Sequence, residues 1–96
     1  MKRQNTLTLG ESLSAWIDDK KLRQQINENR LVAAWKPMVG DYMASLTREI
    51  YIKNRTLFVF IDSSVVRNEL VMAKQMLLKR LNDENGGNII DDIIIR

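Results

Sequence analysis

Neither cysteine nor histidine occurs among the 96 residues. Their absence removes disulfides, thiolate nucleophiles, imidazole bases and nearly every zinc, haem or iron–sulfur site, so no cofactor or metal is expected. Long apolar runs are missing as well. None is longer than Leu57 to Ile61, which is far shorter than the roughly 20 residues of a membrane-spanning helix. The basic start Met1-Lys2-Arg3-Gln4-Asn5-Thr6 leads into no apolar signal segment. A cytoplasmic protein without membrane contact is expected. Proline occurs once and glycine four times, so obligatory chain breaks are few and each one carries information.

What is present is the make-up of an ordinary domain. Hydrophobic residues are 45% and charged residues 28% of the chain, which argues against disorder. The length suits one domain that buries its core without metal or disulfide help. The net charge of +3 is unevenly placed, because up to Lys36 seven Lys/Arg face four acids and the remainder is neutral. A mildly basic helical half suits phosphate or an acidic partner, and it equally suits a solubilising surface.

Periodicity divides the chain into a helical and a strand-rich half. Residues 1–7 read as a flexible basic tail and 8–96 as one domain. Thr8-Leu9-Gly10-Glu11 has the form of a capping box, opening a helix over roughly 9–19 with Leu9, Leu13, Trp16 and Ile17 on one stripe. A second helix follows from Lys21, with Leu22, Ile26 and Ala33 on its stripe and Leu31, Ala34 and Trp35 beside them. Pro37 lacks a backbone donor and disfavours α geometry at Lys36. This helix should therefore end or kink near Trp35, with a short third helix using Met38, Val39, Met43 and Ala44 as its inner face.

The period then changes to two over 47–53 and 56–61, both rich in β-branched and aromatic residues. With Asn54-Arg55 as a two-residue turn, Lys53 pairs with Thr56, Tyr51 with Phe58 and Glu49 with Phe60. That register puts Ile50, Ile52, Leu57, Val59 and Ile61 on one face and Tyr51, Phe58 and Phe60 on the other. Arg55 is a poor residue for the positive φ of such a turn, so a longer loop is the alternative. Asp62, Ser63 and Ser64 are N-cap candidates for a long helix reaching about Asn85, with Val66, Leu70, Ala73, Leu77 and Leu81 on its stripe. Gly86-Gly87 ends it, and Ile89 to Ile95 forms a third strand, parallel by the crossover rule. The fold class is α+β, in the order α-α-(short α)-β-β-α-β, with a three-stranded mixed sheet packed on helices.

Several segments together carry a resemblance. Arg30-Leu31-x-Ala33-Ala34 precedes Trp35-x-x-x-Val39-Gly40, and Tyr42-x-Ala44 follows. Leu57-Phe58-Val59-x-Ile61-Asp62-Ser63, Val65-Val66-Arg67-Asn68-Glu69-Leu70 and Leu81-Asn82 before the glycines complete the set. In order and spacing this resembles the DciA-like family of bacterial proteins, from about Leu9 to Arg96. The resemblance implies a KH-like domain, association with loading or operating the replicative helicase, and DNA binding, often to single strands. Position 66 is Val where many members carry Trp, and no long basic arm follows the third strand in these 96 residues. The Gly-x-x-Gly loop by which KH domains clamp a nucleic-acid backbone does not occur.

Candidate sites follow from residue chemistry. Tyr51 and Phe58, joined by Phe60, with Lys53 and Arg55 at the turn and Arg48 nearby, have the aromatic-plus-basic make-up of a single-strand platform. The competing reading packs these rings under the first two helices or in a dimer interface, and for Phe60 the packed reading is preferred. Lys20, Lys21 and Arg23, with Arg30, form a second basic group suited to phosphate. Arg67 and Glu69 are candidate partner contacts. Trp35, Val39 and Gly40 read as a structural signature, Trp35 being a core residue before it is a base-stacking one. The pairs Asp18-Asp19, Asp83-Glu84 and Asp91-Asp92 are poor metal or catalytic sites, since neighbours on a strand point to opposite faces, and Asp83-Glu84 at a helix C-terminus suggests fraying. The expected function is a non-enzymatic nucleic-acid-associated adaptor that binds single-stranded DNA and the replicative helicase at replication initiation, with no small-molecule substrate. A homo-oligomer is possible. Alternatives are a protein-interaction or oligomerisation module and an RNA-binding KH-like protein.

Overall fold

The computed structural model describes the backbone of residues 3–96 and the side chains of residues 20–96. Its order is α1 (Arg3–Val39), α2 (Asp41–Ser45), β1 (Thr47–Lys53), β2 (Thr56–Ile61), α3 (Ser64–Met72), α4 (Lys74–Glu84) and β3 (Asp92–Ile95). This is an α+β fold whose strands lie in the order β1-β2-β3, antiparallel then parallel. The expected class and mixed sheet hold.

The helical half differs from expectation. In place of helices over 9–19 and from Lys21 there is one helix of 37 residues. It begins at Arg3, before the expected N-cap Thr8 and within the expected tail. The side chains of Thr8 and Glu11 and the stripe Leu9, Leu13, Trp16 and Ile17 lie outside the described residues. No proline or glycine falls between Glu11 and Lys36, so nothing in the backbone chemistry interrupts the helix. Leu22, Ile26 and Ala33 face solvent, whereas Leu31 and Trp35 are buried. Pro37 is taken into the last turn instead of ending the helix at Trp35.

The break comes at Gly40. Its φ of 94° and ψ of 164° suit glycine alone, and a Cβ there would meet nothing within 4 Å, so the requirement is conformational and not one of space. Gly40 closes α1 through its N–H to the Lys36 carbonyl, and its own carbonyl accepts from Ala44 N–H to open α2. Trp35 fixes the angle of this joint. Its indole Nε1 donates to Thr47 Oγ1 at 3.1 Å, and that hydroxyl donates to the Met43 carbonyl at 3.0 Å. One buried ring therefore ties α1, α2 and β1 together, satisfying the polar atom it buries.

The hairpin has the expected register, Lys53 with Thr56 through Glu49 with Phe60, plus a bulge between Thr47 and Glu49. Asn54 and Arg55 form the two-residue turn with φ of 53° and 59°, the all-positive geometry that matches strand twist. The aliphatic face is the core side, where Leu57, Val59 and Ile61 are buried with Leu31 and Trp35 of α1, Val66 and Leu70 of α3, and Leu77 and Leu81 of α4.

The crossover helix is divided at Ala73, whose N–H is shared between the Glu69 and Leu70 carbonyls, a three-centre bond that tightens one turn. Ser63 caps α3 by accepting from Val66 N–H. Asp83 and Glu84 are not frayed acids: each closes an i,i+4 ion pair, with Lys79 and Arg80. Beyond Gly86 and Gly87, both at positive φ, Asn82 organises the chain. Its side-chain oxygen accepts from Ile89 and Ile90 N–H, and its amide donates to the Ile90 carbonyl. Ile89 and Ile90 are thereby buried ahead of the strand, and β3 pairs only from Asp92, later than the expected start at Ile89.

Candidate nucleic-acid interface

Among the described residues the second sheet face lies outside the buried core. Tyr51 is exposed, Phe58 and Phe60 are half-buried, and none of the three belongs to the buried cluster, so among the described residues Phe60 is not part of the core beneath the helices. Alternation explains it: with every odd residue of β2 turned to the helices, the even ones face away. Tyr51 and its cross-strand partner Phe58 stack with centroids 5.1 Å apart at 22°, and Tyr51 stacks on Phe60 at 6.0 Å and 26°. Tyr51 is 38% exposed. Half-buried Ile94, paired with Phe58 in register, extends the same face onto β3.

Cations border these rings. The bulge swings Arg48 over Phe60, 5.7 Å from its centroid, and toward Asp62 at 3.4 Å. Lys53 is exposed at the hairpin tip beside Tyr51 and makes no ion pair among the described residues.

Arg55 plays a different part from Lys53. Its Nε and Nη2 donate to the two Asp91 carboxylate oxygens at 3.0 Å each, Nη2 also donates to the Asn88 carbonyl at 2.8 Å, and its own carbonyl accepts from Asp91 N–H at 2.7 Å. This fork holds an arginine at a φ it does not favour and ties the tip to the loop before β3. The hydrogen bonds from Arg55 hold the Asp91 carboxyl below its ordinary range, and those to Asp91 raise the guanidinium. Asp92 is similarly lowered, chiefly by its hydrogen bond from Lys74 at 2.9 Å. The two neighbouring acids thus serve different cations. Among the described residues no group of three or more acids could hold a metal ion.

The basic residues of α1 separate around the helix. Lys20 and Arg23 line a cleft of about 220 Å³ together with Arg55, Gly87 and Asn88. Lys21 turns to another shallow groove, beside Glu28, and Arg30 is exposed and lines neither. The partner candidates separate too. Arg67 donates to the Ile61 carbonyl at 2.7 Å, bracing the end of β2. Glu69 lies on the rim of an apolar groove of about 330 Å³ between Met38, Val39, Met43 and Met76. Sequence reasoning missed the cleft, since its walls come from segments far apart in the chain. It also missed Asn82 as an organiser, although an asparagine close before a glycine pair is a recognisable signal.

A family model described as "Dna[CI] antecedent, DciA" matches residues 8–95. A UPF0232 protein of Corynebacterium glutamicum (strain R) is 28% identical over 88 residues, covering 92% of this chain and 49% of that protein. The chain thus spans about half the length of that curated relative. No solved structure matches. Among the described residues no helix is long and apolar enough to cross a membrane.

Proposed function

The chain belongs to the DciA family, a family associated with loading of the replicative helicase, and from that premise we propose that it is a non-enzymatic adaptor that holds single-stranded DNA while engaging the helicase. The observation that carries the reading is the open ladder of Tyr51, Phe58 and Phe60 bordered by Lys53 and Arg48. Rings at the surface of a sheet, here exposed Tyr51 with half-buried Phe58 and Phe60, accept bases of any sequence, each stacked base contributing roughly 1–3 kcal/mol. Cations at the border hold the phosphates without reading sequence. A KH-like domain lacking Gly-x-x-Gly needs such an alternative surface.

The test is a salt-series titration by fluorescence anisotropy with single-stranded DNA, duplex DNA and RNA, with and without the cognate helicase. Single-stranded DNA should bind tightest, with affinity falling steeply as added salt diminishes the gain from counterion release. Absence of binding to every nucleic acid would sink the proposal. A second reading, a protein-docking module, draws on the Met-lined groove and on Met72 and Tyr42, which are 86% and 70% exposed. An apolar interface there would be nearly indifferent to salt, and helicase binding that survives loss of the aromatic ladder would assign it to the groove.

A further inference from the structure

The aromatic ladder and the α1 cleft lie on opposite sides of one hairpin tip. Lys53 stands on the ladder side and Arg55 on the cleft side, with Asn54 between them. The cleft presents the Lys20 ammonium, the Arg23 and Arg55 guanidinium groups and the amides of Gln24 and Asn27, and among the described residues no carboxylate lines it. Two acids act on Arg55: Asp91, which it engages, and Glu28, whose charge it feels. Such a lining suits a phosphate: cations and neutral donors converge, and the fork on Asp91 keeps the Arg55 side chain from swinging away. A space of about 220 Å³ suits one sugar–phosphate unit, not a double helix.

Resting on the reading of the sheet face as a single-strand platform, we infer that one strand stacked on Tyr51 and Phe58 passes Lys53, rounds the Asn54–Arg55 tip and seats a following phosphate in the cleft between α1 and the tip. The route selects for flexibility. A duplex, with a persistence length of about 150 base pairs, cannot bend round a two-residue turn. Stacking and phosphate capture become two successive stretches of one binding site, so the site has a minimum length.

The test uses the full chain and thymidine oligonucleotides of about 4 and about 16 nucleotides, titrated by anisotropy over a salt series, with far-UV circular dichroism confirming that each variant is folded. Tyr51→Ala/Phe58→Ala should weaken both oligonucleotides about tenfold or more. Lys20→Glu/Arg23→Glu, both exposed positions, should weaken the long one about tenfold, spare the short one, and lower the salt slope for the long one by about 1 for each phosphate that is no longer neutralised. If this charge reversal leaves both lengths unchanged, or weakens both equally, while the ring variant still loses binding, the route round the tip is wrong and the platform stands. If the ring variant binds like the unaltered protein, the platform itself fails and the route with it.

Discussion

Arg55 adopts a left-handed conformation for which arginine has no intrinsic preference, and its side chain offsets that by gripping Asp91 and the Asn88 carbonyl. Because the carboxyls of Asp91 and Asp92 are both held below their ordinary 3.8, their contributions to stability are complete above that value. They are lost as pH falls through the lowered folded-state values. Melting temperature followed from about pH 6 to about pH 2 should fall, and Asp91→Asn/Asp92→Asn should flatten the acid limb while lowering the neutral plateau; an unchanged acid limb would remove these pairs from the account. Both ion pairs are largely solvated, so the effect is modest. Asn82 matters more. Asn82→Ala leaves the N–H groups of buried Ile89 and Ile90 without their acceptor, a loss of about 1–3 kcal/mol that urea unfolding measures directly.

Elements were legible where geometry is local. The hairpin register followed from its period of two and a turn of fixed length, and the two faces then sorted themselves. Leu57→Ala on the closed face should cost about 2–5 kcal/mol, whereas Tyr51→Ser on the open face should change stability by well under half of that; equal losses would mean the ladder is buried. The N-terminal helices were not legible as one. Two successive apolar stripes, one over 9–19 and one from Lys21, suggested two helices, but a helix ends for want of backbone hydrogen bonds and not because one stripe gives way to another. Leu22 and Ile26 are 60% and 47% exposed on a helix whose inner side there carries Lys20, Gln24 and Asn27. That polar interval is what leaves room for the cleft. Nothing in the local pattern around Lys20 announces that Arg55 and Gly87 stand opposite, because such proximity is a product of the crossover. Trp35 was legible as a joint because a large ring so near the lone proline and Gly40 has few other uses.

The whole molecule is long for its mass. Its radius of gyration is 17.3 Å and its principal extents are 59 × 23 × 19 Å, against about 12.5 Å for a compact chain of this length. A helix of 37 residues at about 1.5 Å per residue accounts for the long dimension. Small-angle X-ray scattering on the monomer should return a value close to 17.3 Å. A value near the compact one would mean that the helix folds back into the pair that the apolar stripes suggest. At this scale the tie between Arg55 and Asp91, 36 residues apart in the chain, acquires a kinetic meaning. The hairpin closes over a short loop, but β3 docks only after both crossover helices are traversed, and the entropy of that closure delays it. The tip clasp therefore belongs to the last stage of folding and works as a latch on the way out: losing it should hasten unfolding while leaving the folding rate nearly untouched.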